Sequence, residues 1–131
     1  GYALQMLVDK HGAIPYSEAW QGTANLSPAV DDAQTVYTAV KGLYDEAIAD
    51  LGKTAIGAPG VDIYYGGDKA KWVTLANTLK FRLALNEGDA SGISAALAAG
   101  VIDDKSEDWV FKYGSNRQNP DSRHPWYSGI V

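Results

Sequence analysis

The chain has no cysteine among its 131 residues, which removes disulfide bonds, thiolate metal sites and a cysteine nucleophile together. The same absence leaves the redox compartment open. Positive charge is also scarce: 11 Lys and Arg stand against 16 Asp and Glu, for a formal net charge of -5. The cations are scattered along the chain, whereas phosphate recognition draws its affinity from clustered Lys and Arg. No nucleic acid or anionic membrane partner is expected. No apolar run approaches the roughly 20 residues that would cross a bilayer. The opening, Gly1-Tyr-Ala-Leu-Gln-Met-Leu-Val-Asp9, lacks the basic start of a signal peptide and reads instead as a helix already under way. With no initiator methionine and no cap before Tyr2, the expectation is a piece of a larger protein.

What is present is ordinary globular composition, 46% hydrophobic and 21% charged, so the chain can bury one core and fold as one unit. From about Ala33 to Leu51, the residues Val36, Val40, Leu43, Tyr44, Ala47, Ile48 and Leu51 recur at the three- and four-residue spacing of one helix face. Asp31 is the expected N-cap, with Gln34 three residues on in a capping-box arrangement, and Gly52 the expected left-handed C-cap. Gly42 inside this helix costs about 1 kcal/mol against alanine, which points either to a close neighbouring helix or to simple tolerance.

A second helix is predicted over about 69–86, capped by Asp68 and stopped by Gly88, with Trp72, Leu75, Ala76, Leu79 and Leu83 inward and Lys71, Asn77, Thr78 and Lys80 largely outward. Asp89 then caps a third stretch, 90–99, carrying Ile93, Ala96 and Leu97 and ending at Gly100. So short a connection makes a helical hairpin. The caps near residues 32 and 68 lie close to the 34-residue period of tetratricopeptide arrays. The class expected is therefore all-α, a tetratricopeptide-like scaffold of helices about 1–9, 33–51, 69–86 and 90–99 with long loops. At most one short strand or hairpin is expected, with Trp109-Val-Phe-Lys-Tyr113, whose aromatics alternate, as the candidate, and a loop-rich tail without helix fills the rest of 103–131.

Catalytic chemistry finds poor material. His11 and His124 sit in loops with no nucleophile motif beside them. A glycosidase needs two carboxylates at a controlled separation, but Asp31 and Asp68 read as caps and Asp45, Glu46 and Asp50 as a wet helix face. The run Asp103-Asp-Lys-Ser-Glu-Asp108 offers oxygen ligands to calcium, yet lacks the glycine and spacing of an EF-hand loop, and reads better as a solvated acidic turn. No enzyme and no cofactor is expected. The loops do carry what saccharide binding needs, flat aromatic faces beside planar hydrogen-bonding groups. The candidates for ligand contact are Trp20 in the first long loop, Tyr65 (with Tyr64) before the second main helix, and Asn116, Arg117, Arg123, Trp126 and Tyr127 in the tail, where Gln118 and Asn119 also lie.

Three blocks carry a resemblance: Leu7-Val-Asp-Lys-His-Gly-Ala-Ile-Pro-Tyr-Ser-Glu-Ala19; Asp31-Asp-Ala-Gln-Thr-Val-Tyr37 leading into Leu43-Tyr-Asp-Glu-Ala-Ile-Ala-Asp-Leu51; and Ile63-Tyr-Tyr-Gly-Gly-Asp-Lys-Ala-Lys-Trp72 with Ala76-Asn-Thr-Leu-Lys-Phe-Arg-Leu-Ala84. In this order they resemble the SusD/RagB family of nutrient-binding outer-membrane lipoproteins, over roughly residues 1 to 113. His11 and Ala13 depart from the family's first block. The resemblance implies tetratricopeptide-like helix pairs whose loops bind oligosaccharide, or in some members peptide, at the cell surface. It also implies a SusC-like TonB-dependent outer-membrane transporter as partner. Because the family's signal peptide and lipidated cysteine have no counterpart here, the resemblance fits an internal piece of such a protein. A tetratricopeptide-like module that binds a protein or peptide is the alternative reading.

Overall fold

A computed structural model describes residues 1–54, 59–118 and 121–128. The periodic segment becomes helix α2, Ala33–Leu51, with Val36, Val40 and Tyr44 buried. It follows α1, Tyr2–His11, and precedes α3, Lys69–Glu87, and α4, Ala90–Ala99. A four-residue helix, α5, Pro125–Ser128, lies in the tail where sequence predicts none. Between them are single 3-10 turns at Gly22–Ala24, Pro59–Val61 and Lys105–Glu107. Among the described residues there is no strand, only an isolated antiparallel bridge between Ile14 and Asp31.

Helix α3 is the hub, packing on α1, α2 and α4. The core lies where α1, α2 and α3 meet, in Val8, Val36, Val40, Tyr44 and Leu83, with Ile14 folded in from the first loop. Asp9 ties the three helices at their rim, accepting from Tyr37 Oη at 3.0 Å, Asn86 Nδ2 at 2.9 Å and Arg82 at 3.3 Å. Inside, Tyr44 Oη donates to Gln5 Oε1 at 2.6 Å, and burial pushes the Tyr44 phenol up to about 12.

Caps follow sequence where one acceptor is offered. Asp68 accepts from Ala70 N and Lys71 N, Gly88 adopts the left-handed conformation at φ 70°, and Asp89 accepts from Gly92 N at 2.9 Å. The α2 cap is displaced by one residue. Asp32, not Asp31, accepts from Thr35 N at 2.9 Å, while Asp31 turns back to take Tyr16 N, Ser17 N and Ser17 Oγ at 2.7 to 2.9 Å. Asp31 thus closes the first loop, and Gln34 completes no capping box but reaches Glu87 at 2.8 Å.

Other expectations are corrected by position. Gly52 ends α2 in right-handed geometry, φ -70°. Gly42 is exposed with nothing near its missing Cβ, so no helix presses on it. Asn77, expected outward, is buried and donates to the Ala99 carbonyl at 3.2 Å, joining α3 to the end of α4. Leu97, expected inward, is 52% exposed. Residues 109–113 are irregular, because no neighbouring strand supplies the hydrogen bonds that would make the segment a strand. No helix among the described residues is long and apolar enough to cross a membrane.

Candidate functional site

The segment before α3 is built around one carboxylate. Asp62 accepts the amides of Tyr64, Tyr65 and Gly67 at 3.0, 3.2 and 2.9 Å. Its Oδ2 also accepts the indole hydrogen of Trp72 at 2.6 Å. The indole bond first, and the amides with it, hold the Asp62 carboxyl down to about 2 against an ordinary 3.8. Gly66 and Gly67 sit at φ 63° and 90°, angles that let the chain wrap this acceptor. Trp72, expected inward, is half-buried and fastens a loop.

From this loop an aromatic ribbon extends. Tyr64 and Tyr65 meet Trp72 edge-on at 6.1 and 5.1 Å between ring centres. Tyr64 also touches Trp109 at 5.4 Å and Phe111 at 6.1 Å, and Tyr2 meets the far side of Trp109 at 5.1 Å. Along the extended segment Phe111 meets Tyr113 at 4.8 Å, Tyr113 meets His124 at 4.6 Å, and His124 meets Trp126 at 6.3 Å. The alternation of 109, 111 and 113 thus serves edge-on and tilted ring contacts without a sheet. The ribbon becomes more exposed toward the tail, reaching 80% exposure at Trp126. Such rings are half-exposed and form no closed core.

Three clefts border it. One of about 230 Å³ is apolar, lies between α1, α2 and α3, and is walled by Tyr2, Tyr44, Trp72 and Trp109. Another, of about 400 Å³, lies in the tail between Tyr113, Gly114, Ser115, Arg117, Arg123 and His124. The third, about 460 Å³, is the most polar, with Tyr64, Tyr65, Lys71, Lys105, Ser106, Asp108, Val110 and Lys112 around it.

The predicted contact residues divide among these places. Arg117 and Arg123 share the tail cleft, and Trp126 reaches it through His124. Arg123 is forked onto Asp121, with Nε and a terminal nitrogen at 3.2 and 2.9 Å. Asn116 holds the tail loop: its carbonyl accepts Ser122 N at 3.2 Å and its amide donates to Ser122 Oγ at 3.1 Å. Tyr65 lines the polar cleft, its hydroxyl donating to the Glu107 carbonyl at 2.8 Å. Trp20 stands apart, fully exposed at φ 65°, with no ring contact among the described residues. Asn119 and the side chain of Tyr127 lie outside the described residues.

The acidic run forms a solvent-facing 3-10 turn, Lys105–Glu107, capped by Asp104, which accepts Ser106 N at 2.8 Å. Among the described residues no group of three or more His, Asp or Glu is placed to hold a metal ion. Sequence reasoning missed Lys71, Lys105 and Lys112 as neighbours. They are 41 residues apart in the chain at their extremes (112 minus 71), and no local pattern announces their meeting.

The helical fold agrees with comparison to known proteins. The chain matches, over residues 1–129, a SusD-like family model described as starch-binding and associating with the outer membrane. It belongs to that family. Among solved structures, a SusD-like protein from Bacteroides thetaiotaomicron superposes with a TM-score of 0.69 at 30% identity, covering 81% of this chain and 24% of that one. A SusD/RagB family protein of the same organism gives 0.73 at 26% identity over 88% of this chain and 25% of its own. A chitin-binding SusD homologue from Flavobacterium johnsoniae gives 0.66 at 26% identity, over 81% and 24%. The chain thus spans about a quarter of the length of these relatives. No curated protein matches it.

Proposed function

We propose that the chain is part of a non-catalytic, surface-exposed lipoprotein that captures a nutrient, an oligosaccharide, at the outer membrane. Its cargo passes to a SusC-like TonB-dependent transporter. The observation that carries this reading is the run of half-exposed rings ending at Trp126, flanked by Arg117 and Arg123 at the tail cleft. Ring faces suit the apolar faces of pyranoses, and guanidinium and amide groups suit their hydroxyls. The family's description as starch-binding and the chitin-binding relative support a glycan as the cargo. Trp20 supports it from a second position: an exposed indole held at positive φ costs about 1 to 2 kcal/mol of backbone strain and gains nothing from packing.

The test is calorimetric titration and glycan-array binding of the chain and of Trp126→Ala and Trp20→Ala. Saccharide affinity that falls about tenfold or more in a variant with unchanged melting supports the reading. A chain that ignores every saccharide but binds a peptide supports the protein-interaction alternative. Reducing ends released from polysaccharide would overturn the non-catalytic assignment.

A further inference from the structure

Five of the 11 cations of this chain are matched to carboxylates among the described residues: Lys41 to Glu87 and Asp89, Lys53 to Asp50, Lys80 to Asp45, Arg82 to Asp9 and Arg123 to Asp121. Lys71, Lys105 and Lys112 share one place. They converge on the polar cleft of about 460 Å³, and among the described residues none of them has a carboxylate oxygen within ion-pair distance. Only one carboxylate, Asp108, lines that cleft. Asp104 nearby already caps the 3-10 turn. In a chain of net charge -5, the lining therefore carries a local surplus of positive charge.

The cleft is also held in shape. Lys71 Nζ donates to the Ser106 carbonyl at 2.7 Å and Tyr65 Oη to the Glu107 carbonyl at 2.8 Å. These bonds lock the turn to the start of α3. They consume donors without forming an ion pair, although the Asp104 carboxylate lies near enough to feel the Lys71 charge. Tyr64, whose ring is part of the aromatic ribbon, forms one wall. The volume falls within the roughly 300 to 1,000 Å³ of small-molecule sites.

We infer that this cleft is a subsite for a negatively charged sugar residue, its carboxylate or sulfate held by Lys105 and Lys112 with Lys71 behind them and its ring against Tyr64. The inference rests on the glycan-binding reading and specifies its ligand class. Ammonium groups act as point charges on either anion. A neutral glycan would leave three lysines drawn together with one lining carboxylate, Asp108, to offset them.

Calorimetry tests it with three probes: an oligogalacturonate, a sulfated dextran oligomer and a neutral maltooligosaccharide. Lys105→Gln/Lys112→Gln is the site variant, Lys10→Gln the remote-cation control, and Lys71 is left intact because it positions the turn. At low salt at least one anionic probe should bind about tenfold or more tighter than the neutral one, and weaken toward roughly 0.15 M salt. The double variant should lose about tenfold in anion affinity while the control loses none. Carboxylated against sulfated probe then separates the two sources of charge. Equal affinity for neutral and anionic probes overturns the charged subsite, as does undiminished anion binding by the double variant. Neutral binding that depends on Trp126 would still leave the glycan reading standing, whereas a chain that binds none of the probes loses both.

Discussion

The indole nitrogen of Trp72 and Oδ2 of Asp62 are 2.6 Å apart, joining the first turn of α3 to the loop that precedes it. Three loop amides point at the same carboxylate, so one side chain sets the conformation of residues 62 to 67. Helix, loop and the root of the aromatic ribbon are thereby placed together.

Only strong acid should undo this latch. Because the Asp62 carboxyl is held down to about 2 from 3.8, its stabilisation is complete above the ordinary value and is lost as pH falls from about 4 toward 2. Asp62→Asn lacks that contribution at every pH. Thermal melts of the two proteins should differ at pH 7 and converge near pH 2; parallel curves across that range would contradict the assignment.

Tyr44→Phe removes the hydroxyl that satisfies Gln5 Oε1, in a residue whose Nε2 is already buried without a partner. The cost should be about 1 to 3 kcal/mol in denaturant unfolding at neutral pH. The wild-type phenol is raised to about 12, so its neutral form favours folding up to the ordinary value near 10 and that advantage fades as pH climbs toward 12. The variant should show a flatter alkaline limb.

Leu83 is wholly buried where three helices meet. Leu83→Ala should cost about 3 to 5 kcal/mol, and Leu97→Ala, at 52% exposure, less than about 1 kcal/mol. Equal losses would place the core elsewhere.

Gly42→Ala should stabilise by about 0.5 to 1 kcal/mol, since the position is helical and a Cβ there meets open space. A lower melting temperature would reveal a neighbour at that face.

Trp20→Gly should melt no lower than wild type, because it releases a positive φ of 65° and forfeits no buried area. Marked destabilisation would show the indole to be structural.

Much of the helical scaffold was legible because helix spacing and single capping residues are local signals: α2, α3 and α4 lie where periodicity and Asp68, Gly88, Asp89 and Gly100 place them. Legibility failed where two residues compete for one role or where the partner is distant. Asp31 and Asp32 offer the same acceptor, and Tyr16 and Ser17, brought close by the fold, decide between them. Asn77 is buried because the Ala99 carbonyl awaits it. The candidate site was less visible. Its aromatics could be named as loop residues, but the ribbon joins residues 2, 64, 109 and 124, which no window of sequence spans.

The latch on the 3-10 turn carries one further consequence. Lys71 and Tyr65 grasp main-chain oxygens of residues 106 and 107, and a carbonyl is supplied whatever letter the gene writes there. Substituting the side chains displayed on that turn leaves both grips in place, so the perch itself stays bolted to the frame.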